Sequence, residues 1–95
     1  MTSKMKLLET PKFSKLRKKI NATHEKESLK AAIENILKEP KAGKNLRGEF
    51  KELRSYRYTT KGQARRLIYK LETDSIILFS FGPREGIYNK NLMGN

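Results

Sequence analysis

Apolar residues recur along this chain with two different periods. Phe13, Leu16 and Ile20 follow one another at spacings of three and four, which makes one apolar stripe on an otherwise basic helix. Thr10-Pro11 ahead of them reads as an N-cap followed by proline at the first helical position. Asn21-Ala22-Thr23 breaks that helix, and Thr23 is placed to cap a second one. The second stripe is Leu29, Ala32, Ile33, Ile36 and Leu37; Glu25 and Glu27 lie in its first turn, where the helix dipole favours anions, and Pro40 ends it. Residues 5–9 are short and mostly apolar and predict a leading strand, and residues 40–48, "PKAGKNLRG", read as a basic loop. After the loop the period changes to two. Residues 53–58 alternate and carry two tyrosines, and residues 60–63 hold the turn pair Lys61-Gly62. Residues 66–71, "RLIYKL", put Leu67, Tyr69 and Leu71 on one face and Arg66, Ile68 and Lys70 on the other. Thr73-Asp74 is a second turn, and residues 76–81 are apolar throughout, as expected of a strand covered on both faces. Short turns between consecutive strands predict an antiparallel meander. The pattern is α+β, in the order β-α-α-β-β-β. The helix pair covers one face of the sheet and leaves a face bearing arginines open.

Length and charge narrow the picture. Ninety-five residues suit a single domain, residues 1–95. Lysine and arginine number 22 against 10 acidic residues, for a formal charge of +12. That balance points to polyanionic partners: nucleic acid, an anionic membrane surface or an acidic protein. No apolar run approaches the roughly 20 residues of a membrane span, so no membrane role is expected. The first eight residues lack a signal-peptide core, and the absence of cysteine suits a reducing, cytoplasmic setting. Asn21-Ala22-Thr23 fits the N-glycosylation pattern, which a chain without an export signal carries by chance.

Composition also excludes several chemistries. The one histidine, His24, lies among charges at a helix start and reads as a solvated residue, so no histidine-based triad can form; no metal ligand set or cofactor is expected. No phosphate-binding glycine loop of a common type is present. What remains is basic and aromatic: Arg54, Tyr56, Arg57, Lys61, Arg66, Arg84 and Tyr88. Strand parity puts Arg54 and Tyr56 on one face of their strand, and Arg66 opposite Leu67 and Tyr69. With Arg84 just past the last strand, these residues are expected to converge on one side of the sheet. Arginine offers a planar fork for phosphate, and tyrosine a ring on which a base stacks, worth about 1–3 kcal/mol.

The run of "NLRGEF", "RRLIYKL" and "IILFSFGPREGIY" resembles the RelE/ParE superfamily of type II toxins, over nearly the whole chain. The resemblance implies a small RelE-like fold. Within the RelE branch it implies a ribosome-dependent endoribonuclease, an mRNA interferase that cuts mRNA in the ribosomal A site. There a 2′-hydroxyl attacks the adjacent phosphate and leaves a 2′,3′-cyclic phosphate or its 3′-phosphate product, with a 5′-hydroxyl. By motif match, Arg66 steadies the phosphate, Arg84 is the candidate proton donor to the leaving oxygen, and Tyr88 stacks on or orients the target base. Arg54 falls, with a shift of register, near a family lysine, while Tyr56, Arg57 and Lys61 are expected to bind substrate. The family's paired lysines are replaced here by "RSYRY". An arginine is a poor general base because its pKa exceeds about 12. Lys51, Glu52, Lys61 and Glu85 remain as bases, with Glu52 favoured because it shares strand parity with Arg54; a purely electrostatic mechanism is the alternative. The implied partners are the ribosome, mRNA, and a cognate antitoxin, acidic and partly disordered, that folds on binding. That antitoxin is expected to cover the sheet or displace the segment from Tyr88 onward, with apolar anchors in the helix grooves.

Two other readings fit the same residues: a ParE-like inhibitor of DNA gyrase, and a non-catalytic RNA- or ribosome-binding module.

Overall fold

The computed structural model describes residues 5–83. Strand β1 (Lys6–Glu9) leads into helices α1 (Pro11–Lys18) and α2 (Thr23–Lys38); then come β2 (Lys44–Asn45), a 3-10 turn (Gly48–Phe50), β3 (Leu53–Thr60), β4 (Gln63–Leu71) and β5 (Ser75–Pro83). The five strands form one sheet in the order β1-β5-β4-β3-β2. β1 runs parallel to β5, and the other pairings are antiparallel. The expected element order holds, with one strand more than the pattern predicted. β2 is only two residues long and pairs with β3 through Lys44–Ser55 and Asn45–Arg54, too short a segment to show alternation.

The first helix starts as its sequence dictates. Pro11 occupies the first turn, and the Thr10 hydroxyl accepts from the Phe13 amide at 3.2 Å. The same hydroxyl donates to the Phe79 carbonyl at 3.3 Å, and the Thr10 amide donates to the Leu78 carbonyl at 3.0 Å. One residue thus caps the helix and ties its start to β5. The second helix departs from expectation: its N-cap is Ala22, without a side-chain cap, and Thr23 is already helical. Packing further along holds the helix in place. Leu29, Ala32 and Ile36 are buried with Phe13, Leu67, Tyr69, Ile76 and Leu78 in the core between helices and sheet.

The β3–β4 hairpin is tighter than the four-residue turn expected at 60–63. Lys61 and Gly62 have φ of 48° and 82°. Two consecutive positive values are those of a type I′ turn, whose twist matches that of the flanking strands. The strands therefore extend to Thr60 and back from Gln63. Between β4 and β5 a register shift at Ile68/Tyr69 leaves Phe79 unpaired. Phe79 joins Leu46 and Phe50 on a second, smaller cluster built on Leu53 and Ile68. This cluster lies on the sheet face away from the helices. Among the described residues that face is consequently covered at one end and open at the other.

Candidate nucleic-acid interface

Register decides which of the basic residues can act together, because residues directly opposite in an antiparallel pair share a face. Arg57 pairs with Arg66, and Arg66 pairs with Gly82 on β5. The three form a row across β3, β4 and β5 on the face away from the helices. Arg57 is exposed and Arg66 half-buried. Among the described residues neither guanidinium has a hydrogen-bond or ion-pair partner. The positions around them are small: Thr59 opposite Ala64 on one side, Ser55 and Ser80 flanking Ile68 on the other. No heavy atom lies within 4 Å of where a Cβ on Gly82 would stand. Two arginine forks therefore rise from a floor of small side chains, with room for a sugar–phosphate backbone to approach.

Arg54 and Tyr56 do not join them. Arg54 is opposite Tyr69, and Tyr56 opposite Leu67, so both face the helices. The Arg54 Nη1 donates to the Gly43 carbonyl at 2.6 Å and to the Lys41 carbonyl at 3.4 Å. The Tyr56 hydroxyl accepts from Asn35 Nδ2 on α2 at 3.1 Å. Both are engaged in holding the fold, which corrects the expectation that they converge with Arg66. The expectation assigned parity within each strand but had no register between strands.

Glu52 is corrected likewise. It lies before β3, and its carboxylate pairs with Lys70 Nζ at 3.2 Å, which Glu72 also contacts at 3.0 Å. The hydrogen bonds that Lys70 donates to these two carboxylates, Glu72 first, raise the Lys70 pKa. The neighbouring Leu53 is four residues from Arg57, about 13 Å along the strand. Glu52 is therefore out of reach of a phosphate held by the Arg57–Arg66 pair. Lys61 sits at the hairpin tip, about as far away in the other direction, and contacts only an extended ligand. Arg84, Tyr88 and Glu85 lie outside the described residues. Among the described residues, no group of His, Cys, Asp or Glu side chains is placed to hold a metal ion.

Two features were missed. Arg65, next to Arg66, points the other way, and its Nη2 pairs with Glu25 of α2 at 3.2 Å. Tyr58 stands opposite it, and burial pushes the Tyr58 hydroxyl up to about 12. Lys44, opposite Ser55 on β2, adds a cation to the open face. The Arg57–Arg66 pairing was within reach of the sequence. A two-residue Lys61-Gly62 loop makes Thr60 and Gln63 partners, and counting back from them puts Arg57 against Arg66.

Solved structures place the architecture. A double arginine-to-alanine mutant of the Escherichia coli toxin RelE in the free state superposes with a TM-score of 0.66 at 22% identity, covering 86% of this chain and 85% of that one. The toxin–antitoxin complex RelBE2 from Mycobacterium tuberculosis follows at 0.64 and 21% identity, over 88% and 95% of the two chains. A copper-bound mutant toxin from Helicobacter pylori gives 0.52 at 20% identity, over 84% and 94%. At these identities the likeness is one of fold, and it establishes a RelE-like fold for this chain. No curated protein matches the sequence. A family model, however, covers residues 7–91: the ParE-like toxin of type II bacterial toxin–antitoxin systems. With that match laid over a RelE-like fold and a face that presents two arginines without a counter-anion among the described residues, the chain belongs to the ParE-like toxins of type II bacterial toxin–antitoxin systems.

Proposed function

We propose that this toxin is a ribosome-dependent endoribonuclease that cleaves mRNA in the A site. The observation that carries the reading is the Arg57–Arg66 pair, directly opposed on the open face with no counter-anion among the described residues. Like charges opposite each other in a sheet are unfavourable unless an anion joins them. A phosphodiester is such an anion, and the pentacoordinate state formed on attack by the 2′-hydroxyl carries more charge than the ground state. Preorganised donors therefore bind the transition state better than the substrate. In the reaction the 2′-oxygen–phosphorus bond forms and the bond from phosphorus to the 5′-oxygen breaks. The 2′-hydroxyl gives up its proton, and the leaving oxygen takes one. Arg84 is the proposed donor to that oxygen and Tyr88 the ring against which the target base rests, both by their match to the family motif. Arg57 replaces Arg54 as the β3 cation of the site. Removing one such donor costs about 2.7–4 kcal/mol of barrier, or roughly a hundred- to a thousandfold in rate.

A second reading, inhibition of DNA gyrase, draws on a specific observation. Glu52, the favoured base, is spent on Lys70, and Arg54 and Tyr56 are spent on the fold. What the described residues then offer is a basic groove without a proton acceptor.

The basic surface also suits the antitoxin that such a toxin is expected to have. Leu7, Ile20, Ile33 and Leu37 line a groove between β1 and the helices, edged by Arg17, Lys26 and Lys30. An acidic amphipathic segment would fit it by charge and by shape.

The test is a primer-extension map of mRNA from cells briefly expressing the toxin, beside Arg66→Ala and Arg84→Ala variants. Cuts within translated codons, lost in both variants with the fold intact, are the expected result. Growth arrest with DNA damage and no cuts would establish the gyrase reading instead. Neither cuts nor arrest would leave an RNA-binding module.

A further inference from the structure

The loop from α2 to β3 passes around the sheet edge, from the helix side to the open side. Its start is held by two side chains of the helix side. The Tyr69 hydroxyl donates to the Pro40 carbonyl at 2.7 Å and accepts from the Gly43 amide at 3.0 Å. Arg54, directly opposite Tyr69, donates to the Gly43 carbonyl at 2.6 Å. Both backbone polar groups of Gly43 are thus taken by side chains from adjacent strands. The packing is close: a Cβ on Gly43 would stand 2.7 Å from the Tyr69 Oη. Beyond this latch the chain closes on itself. Asn45 Nδ2 donates to the Lys51 carbonyl at 3.3 Å, and the Leu46 amide donates to the Leu53 carbonyl at 3.0 Å. Leu46 and Phe50 then plug the open face over Leu53, Ile68 and Phe79.

The plug residues alternate with cations. Lys44, Arg47 and Lys51 are exposed, and Lys44, opposite Ser55, lies on the same face as Arg57. Two residues along β3 and one strand across put the Lys44 backbone about 8 Å from that of Arg57. One strand of RNA can engage both.

We propose that Arg54 and Tyr69 are positioning residues. From the helix side they set the course of the 44–51 loop, which carries Lys44, Arg47 and Lys51 along the rim of the open face. That rim is a second row of phosphate contacts for a single-stranded RNA anchored at Arg57 and Arg66. The inference rests on the RNA-binding reading of the open face. Neither positioning residue touches RNA: Tyr69 is 0% exposed, and the Arg54 guanidinium is turned to the loop carbonyls.

Tyr69→Phe is the decisive variant, because it removes only a buried hydroxyl, keeps the ring and leaves the charge unchanged. The full chain would be probed with a short fluorescein-labelled single-stranded RNA and by amide hydrogen exchange. Exchange at residues 43–51 is expected to speed up about ten- to a hundredfold, the worth of the two hydrogen bonds that the hydroxyl makes, with β5 amides unchanged. RNA affinity is expected to fall roughly three- to tenfold, and the salt dependence to become shallower by about one released counterion. Lys44→Gln alone is expected to give the same shallower salt dependence with loop exchange unchanged. In the Tyr69→Phe background it costs little more, since the contact is already lost. Arg54→Lys, which keeps the charge but not the fork, falls between Tyr69→Phe and the wild type.

Unchanged loop exchange in Tyr69→Phe overturns the latch. A loosened loop with wild-type RNA affinity overturns the positioning role. Faster exchange in β5 as well reduces Tyr69 to an ordinary core residue and overturns it too. If the wild type binds no free RNA, the rim assignment falls, while the primer-extension map still decides the ribosome-dependent nuclease reading and loop exchange still decides the latch.

Discussion

Arg57 and Arg66 are expected to repel each other measurably in the free toxin, and neutralising either should relieve the fold while weakening RNA binding. Directly opposed residues have Cβ atoms about 4.5–5.5 Å apart. Two unit charges at about 5 Å repel by ~0.8 kcal/mol at the dielectric of water and by ~3 kcal/mol at an effective value of 20. Arg57 is exposed and Arg66 half-buried. The side chains are also free to splay toward solvent, so the aqueous end applies, and a coupling of about 0.5–1 kcal/mol is expected. The assay is a double-mutant cycle of urea unfolding with Arg57→Gln, Arg66→Gln and the pair, which isolates the interaction from the packing of each stem. The coupling should be repulsive, should shrink at high salt and should reverse when inorganic phosphate is added, because the anion binds only the folded pair. A coupling of zero or of attractive sign at low salt would refute the geometry, since it would mean that the charges are either apart or already bridged.

Two further outcomes follow from the core. Gly43→Ala puts a methyl group against the Tyr69 ring and the Ser55 backbone carbon, 2.8 and 3.1 Å away, so unfolding measurements should show a loss of about 1–3 kcal/mol. Raising the pH should weaken the fold through Tyr58. Its folded-state pKa of about 12 lies above the ordinary tyrosine value of 10.0, so its contribution is intact below pH 10 and is lost as pH rises toward 12, and ultraviolet titration of Tyr58→Phe should lack one late-ionising phenol.

The helices were legible because each has a stripe whose period is its own. Phe13, Leu29, Ala32 and Ile36 are core residues wherever their helices pack. The cap at Thr10 and the stop at Pro40 act within a few residues of themselves. The Lys61-Gly62 turn was legible too, though its tightness was underestimated by two residues. The α2 N-terminus was misplaced by one position, since a threonine hydroxyl is only one of the ways to start a helix.

The candidate site was harder to read, because its members are cations on strands and every strand has two faces. Alternation says which residues of one strand go together: Leu67 with Tyr69, Arg66 with Ile68. It says nothing about how the next strand is aligned. One residue of register moved Arg54 from the open face to the loop latch and put Arg57 in its place. Glu52 shows another limit, since it precedes β3 and its engagement by Lys70 depends on side-chain geometry that alternation does not encode. The sequence by itself determined the class of elements, their order, the core residues of the helices and the positive charge that calls for an anionic partner, because each of these follows from local period or from composition. The tertiary structure alone decided the parallel docking of β1 on β5, the bulge that freed Phe79, and the plug and latch of the 40–51 loop. All of these are contacts between residues distant in sequence, whose energies exist only once the sheet has been assembled.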